Sequence, residues 1–182
     1  MRTRRWIITV LGKDRPGIVA GVTQALYRLG CNLEDSAMTR LEGEFAIMLI
    51  FSGPSRLTPQ RLQRAFAPLE RRLSLAVSLK PLAPSEARSP APRGRPYVIS
   101  VYGADRPGIV YRVSSALAGL GINITDVSTQ RAEKGARSLY LLVLEIELPK
   151  RISAESLKRR LKALAKPLGV FISLRSADAD IL

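Results

Sequence analysis

One segment of this chain is written twice. Gly12-Lys13-Asp14-Arg15-Pro16-Gly17-Ile18-Val19 returns as Gly103-Ala104-Asp105-Arg106-Pro107-Gly108-Ile109-Val110, displaced by 91 residues. The same displacement carries Leu29-Gly30 onto Leu120-Gly121, Asn32 onto Asn123, Asp35 onto Asp126 and Arg40 onto Arg131. A repeat of that length is a duplicated domain and not a solenoid unit. The chain must therefore divide into two similar folds, and its 182 residues suffice for two small cores. The expected division is a first domain over residues 1–80, a connection over 81–95 and a second domain over 96–182. The connection carries Pro81, Pro84, Pro90 and Pro92 and no apolar period, which reads as a stiff, extended linker.

Each copy has the same order of elements. Trp6–Leu11 and Tyr97–Tyr102 are short runs rich in aromatic and β-branched residues, hence strands. Val19, Val22, Leu26 and Leu29 follow at helical spacing, as do Val110, Val113, Leu117 and Leu120. Pro16 suits the first turn of that helix, and Gly30 and Gly121 suit left-handed caps at its end. A hairpin follows, with Phe45–Phe51 and Leu139–Ile146 as its second strands and a turn three residues longer in the second copy. A second helix opens after Thr58 or Ser153, each placed to cap it. Leu157, Leu161 and Leu164 form its buried stripe in the second copy, and Pro68 and Pro167 should end or kink it. Leu75–Lys80 and Val170–Arg175 close the two sheets. The fold class is α+β: two ferredoxin-like βαββαβ units, each an antiparallel sheet with both helices on one face. The central strands are apolar on both faces, so the helix-free face should be covered by the sister domain or another chain.

Composition narrows the function. The net charge of +14 is spread as +7, +2 and +5 over residues 1–80, 81–95 and 96–182. Such a balance favours anionic partners, but a solvated surface rich in arginine (22 Arg to 7 Lys) is the simpler account of it. There is no histidine, which removes the commonest general base and most zinc sites. Cys31 lacks a histidine partner and reads as a buried structural thiol. No glycine-rich nucleotide loop occurs, and no apolar run approaches the roughly 20 residues of a membrane span. The expectation is a cytoplasmic non-enzyme without metal or cofactor and without a membrane segment.

The repeated loop is where chemistry would reside. It joins a strand to a helix whose first turn exposes unpaired N–H groups at the positive end, a geometry that holds a carboxylate. Gly17 removes the side chain that would crowd a close approach. Asp14 stands just before the helix, placed either to face an ammonium group or simply to cap the helix. Asn32 opens the next strand and offers both a donor and an acceptor. Asp105, Gly108 and Asn123 restate the set, which suits a zwitterionic amino acid.

Both copies resemble ACT domains, small regulatory modules of amino-acid metabolism. The resemblance rests on Asp14-Arg15-Pro16-Gly17-Ile18-Val19, Leu29-Gly30 and Asn32 with their second copies. A stand-alone tandem of this size resembles the glycine cleavage system transcriptional repressor family, whose members act through a DNA-binding activator. The resemblance implies amino-acid binding, glycine among the candidates, at loops between paired domains. The implied site residues are Gly12, Asp14, Arg15, Gly17, Ile18 and Asn32, with Gly103, Asp105, Arg106, Gly108, Ile109 and Asn123. Gly12 stands where some ligand-binding relatives carry a polar side chain. The implied partners are a DNA-binding regulator or a metabolic enzyme, with a homodimer as one assembly.

The rival reading is direct nucleic-acid binding, since RNA-recognition motifs share this element order and need exposed aromatics on the third strand. Gly43-Glu44-Phe45-Ala46-Ile47 resembles that pattern faintly, and Ala136-Arg137-Ser138-Leu139-Tyr140 lacks it. Lys158, Arg159, Arg160, Lys162 and Lys166 form a basic helix face that solvation alone explains.

Overall fold

The computed structural model describes residues 3–83, 94–134 and 137–177. The chain forms two compact units, residues 1–89 and 90–182. The first contains β1 (Thr3–Lys13), α1 (Ile18–Arg28), β2 (Asn32–Leu41), β3 (Glu44–Pro54), α2 (Pro59–Leu73) and β4 (Ala76–Leu82). The second contains β5 (Gly94–Ala104), α3 (Ile109–Ala118), β6 (Asn123–Lys134), β7 (Arg137–Pro149), α4 (Ala154–Leu168) and β8 (Val170–Ser176). Each sheet is antiparallel, ordered β2-β3-β1-β4 and β6-β7-β5-β8, so the first and third strands of each copy are central. Pro81, Leu82, Gly94 and Arg95 belong to strands, while residues 84–93, the body of the stretch read as a linker, lie outside the described residues.

Alternation along the strands explains where the core sits. Trp6, Ile8 and Val10 on β1 and Phe45, Ile47, Leu49 and Phe51 on β3 point to one side and are buried with Ile18, Val22 and Leu26 of α1 and Leu62, Phe66 and Leu69 of α2. Ile99, Val101, Leu142, Leu144, Ile146 and Leu148 do the same against α3 and α4 in the second unit. Both helices of a unit therefore pack on one face of its sheet. The opposite face is apolar, as the central strands suggested, and its side chains are substantially exposed: Leu11 49%, Met48 50%, Tyr102 48% and Phe171 68%. Tyr102 and Phe171 stack with ring centroids 5.1 Å apart and planes 11° from parallel.

The helix ends follow local chemistry. Gly30 and Gly121 adopt φ of 70° and 66°. Around them Cys31 N–H bonds Leu26 O and Gly30 N–H bonds Tyr27 O, with Ile122 to Leu117 and Gly121 to Ala118 in the second unit, the paired bonds of a Schellman end. Thr58 Oγ1 and Ser153 Oγ accept from the N–H of Arg61 and Ser156 and cap α2 and α4. Three expectations need correction. Pro16 lies in the turn before the helix and not in its first turn, because α1 begins at Ile18 behind the N-cap Gly17. Pro68 does not end α2, which runs on to Leu73. Burial of Leu69 and packing of Leu73 against the core hold the helix past the missing N–H. Pro167 does stand in the last turn of α4. The second hairpin is four residues longer, not three: Gly12 faces Phe45 while Gly103 faces Tyr140, an offset of 95 after the hairpin against 91 before it.

Candidate functional site

The N-termini of α1 and α3 are bare of side-chain caps. Gly17 and Gly108 take φ of 95° and 92°, and no carboxylate lies in either first turn. The first helical bonds run from Gly21 N–H to Gly17 O and from Arg112 N–H to Gly108 O, both at 2.9 Å. The N–H groups of Ile18, Val19 and Ala20, and of Ile109, Val110 and Tyr111, therefore precede the first helical acceptor and point out of the helix end. A Cβ at Gly17 or Gly108 would meet nothing within 4 Å, so glycine is present for its backbone conformation and leaves the N-terminus open. Ile18 and Ile109 bury their side chains in the cores, which leaves only their backbone to face a ligand.

Asp14 is not the helix cap. Its N–H bonds Gly43 O at 2.8 Å, tying the loop to the β2–β3 turn, where Glu42 and Gly43 take φ of 45° and 85°. Its carboxylate accepts from Arg40 Nη1 at 3.2 Å, and Asp105 stands 3.1 Å from Arg131 Nε in the second unit. Arg40 and Arg131 are the residues that sequence reasoning carried along without a role. The signal was available: an aspartate just past the first strand and an arginine near the end of the second lie at the same end of the sheet. These pairs are largely exposed, with side chains 32% and 70% accessible for Asp14 and Arg40, so each is a weak interaction.

Asn32 is elsewhere. It faces Ser52, which faces Arg5, whereas Asp14 follows Lys13, which faces Glu44. Eight strand residues separate those two levels, about 26 Å at ~3.3 Å per residue. Asn123 and Asp105 are separated in the same way, since Asn123 faces Glu147 opposite Pro96 and Asp105 follows Ala104. The sheet thus places each asparagine and the aspartate of the same unit at opposite ends, and the two are not brought together within one unit. Asn32 instead lines a cavity of about 360 Å³ with Ser52, Ser55 and Arg56.

Gly12 and Gly103 serve packing. A Cβ at Gly12 would lie 2.7 Å from Leu75 Cδ2 and 3.1 Å from Ser74 O, and one at Gly103 would lie 2.9 Å from Val170 Cγ1. The polar side chain of some relatives thus has no room here without movement of the α2–β4 connection. Arg106 lays its guanidinium beside Gly169, the left-handed cap of α4, where the helix carries its negative end. Arg15 is exposed. Cys31 is half-buried, and burial pushes its thiol pKa up, which keeps it neutral and unreactive. Phe45, the residue a base-stacking third strand would need on the open face, is instead buried toward the helices.

The family profile of the ACT domain matches residues 4–80, and a second ACT-domain profile matches residues 97–166. The chain is 29% identical over 165 residues to the glycine cleavage system transcriptional repressor of Escherichia coli K12, covering 89% of this chain and 84% of that protein. It is 35% identical over 81 residues to a UPF0237 protein of Streptococcus pneumoniae, which spans 44% of this chain and 92% of its own. The crystal structure of a protein from Galdieria sulphuraria superposes with a TM-score of 0.78 at 28% identity, covering 97% of this chain and 99% of that one. Among the described residues no helix is long and apolar enough to cross a membrane. Two βαββαβ units, each opening its first helix on the same uncapped Asp-Arg-Pro-Gly loop and each matched by its own profile, place this chain in the ACT-domain family as a tandem of two ACT domains.

Proposed function

We propose that this protein is a cytoplasmic, non-catalytic sensor of a free amino acid that regulates transcription through a protein partner. The observation that carries the reading is the duplicated, uncapped helix N-terminus with the carboxylate of its aspartate paired to an exposed arginine. The ligand carboxylate lies on the N–H groups of residues 18–20 or 109–111, and its ammonium group displaces Arg40 or Arg131 from Asp14 or Asp105. Because Asn32 and Asn123 lie at the far ends of their sheets from Asp14 and Asp105, the contacts assigned to the ligand are those of the aspartate loop. The exposed apolar sheet faces support self-association of the chain, with a homodimer as its simplest form. Similarity to a repressor of the glycine cleavage system supports glycine as the first ligand to test and a DNA-binding regulator as the partner.

Glycine has five heavy atoms, so a ceiling of ~1.5 kcal/mol per atom limits it to roughly micromolar affinity. The test is calorimetry with the twenty amino acids on wild type, Asp14→Ala, Asp105→Ala and the double variant, with folding checked by circular dichroism. One amino acid is expected to bind wild type and to lose affinity in the double variant. Equal binding to the folded double variant would overturn the site. Tight, sequence-selective DNA binding by the protein alone at physiological salt would favour the nucleic-acid reading instead.

A further inference from the structure

The helix layer of the first unit holds a feature that the duplicated loop does not explain. Between α1 and α2 lies a cleft of about 340 Å³ lined by Ala25, Leu29 and Leu69 and by three arginines, Arg28, Arg64 and Arg72. No carboxylate belongs to its lining. Among the described residues none of the three guanidinium groups is within ion-pair distance of an acid. Gly21 governs how close the two helices come, since a Cβ there would lie 2.6 Å from Leu69 Cδ1. Glycine weakens a helix interior, so its presence in α1 answers to this close approach.

The second unit lacks the arrangement although it shares the fold. At the offset of 91, Gly21 is matched by Arg112 and Arg28 by Gly119. The caps Thr58 and Ser153 align α2 with α4, placing Arg159 at the position of Arg64 but Pro167 at that of Arg72. The cluster is therefore not a by-product of building two helices on a sheet.

We propose that this cleft binds a small phosphate ester. Three uncompensated guanidinium groups around one cavity suit an anion with more than one negative charge, and the planar fork of arginine matches phosphate oxygens in pairs. The apolar lining of Ala25, Leu29 and Leu69 takes the carbon body of the ester. The volume falls in the range of small-ligand sites, about 300–1,000 Å³. The site lies on the helix layer, apart from the Asp14 loop, and stands whether or not that loop binds an amino acid.

The probes are inorganic pyrophosphate and ADP, titrated calorimetrically into the full chain at low and physiological salt. Arg28→Gln is expected to weaken both by about tenfold or more, the loss usual for one charge-assisted hydrogen bond. The triple change of Arg28, Arg64 and Arg72 to Gln is expected to abolish binding. A control triple change of Arg159, Arg160 and Lys162 to Gln removes the same charge from α4 and is expected to leave binding within about twofold, because distant exposed charges are screened. Circular dichroism verifies that each variant folds. Failure of folded wild type to bind either probe, or equal losses in the two triple variants, would overturn the proposal. A short DNA duplex that displaces pyrophosphate and weakens equally in both triple variants would assign these arginines to a general basic surface, also against it.

Discussion

Gly17 and Gly108 open their helices at φ of 95° and 92°, and Asp14 and Asp105 stand 3.2 and 3.1 Å from their arginines. Around this shared loop the two units have drifted apart. The first fills its core with Trp6, Phe45, Phe51 and Phe66, where register and caps place Tyr97, Tyr140, Ile146 and Leu161 in the second. The first opens an arginine-lined cleft between its helices, while the second stacks Tyr102 on Phe171 across its open sheet face. A core needs only to be filled at the right volume, so its residues exchange readily. A loop built on positive φ and a bare helix end has far fewer solutions. The contrast teaches that the loop is the part of this fold on which the two copies depend in the same way.

The largest effect should come from the cores. Phe66→Ala is expected to destabilise the first unit by about 3–5 kcal/mol, and Leu161→Ala the second by about 2–5 kcal/mol. Urea unfolding followed by tryptophan fluorescence reports the first unit through Trp6, the chain's one tryptophan, with far-UV circular dichroism reporting both. If the units are independent, Phe66→Ala moves the fluorescence transition and Leu161→Ala does not. A common shift would break the comparison by making the two cores one cooperative block. An intermediate effect is expected at the loops, where Gly17→Ala and Gly108→Ala should each cost about 1–2 kcal/mol through backbone strain, since space for the methyl group is open. Equal losses in thermal unfolding would sharpen the equivalence, and a loss in one loop alone would refute it. The smallest effect belongs to the exposed ion pairs: Arg40→Ala and Arg131→Ala should change stability by less than about 1 kcal/mol. Under the proposed function each should instead raise amino-acid affinity by freeing its aspartate, which calorimetry would detect.

Periodicity and the repeat made the architecture readable before any coordinates. Val22, Leu26, Phe51 and Leu157 are buried where spacing placed them, and Gly30, Gly121, Thr58 and Ser153 cap the helices they were assigned to. These features depend on neighbours three or four residues away, or on alternation along one strand. What escaped depends on register between strands. Asp14 and Asn32 are 18 residues apart in sequence, and only the β1–β3–β2 pairing reveals that they occupy opposite ends of the sheet. The Asp14–Arg40 pair was legible by contrast, since the end of the first strand and the end of the second meet at the same end of the sheet. Pro68 inside α2 shows tertiary burial overriding a local breaker. The unpaired indole of Trp6 could not be foreseen either: among the described residues its Nε1 is buried without a hydrogen-bond partner while the ring packs in the core.

The four extra residues of the second hairpin leave every downstream pairing intact, with Gly103 facing Tyr140 just as Gly12 faces Phe45. They extend the paired arms, since Lys134 faces Arg137 just as Leu41 faces Glu44. A hairpin whose length varies without disturbing the rest of the sheet is a natural port for protein engineering. A fluorophore-bearing peptide or an affinity tag inserted there would report on the second unit while leaving both sheets in register, and the unmodified first unit would serve as the built-in reference.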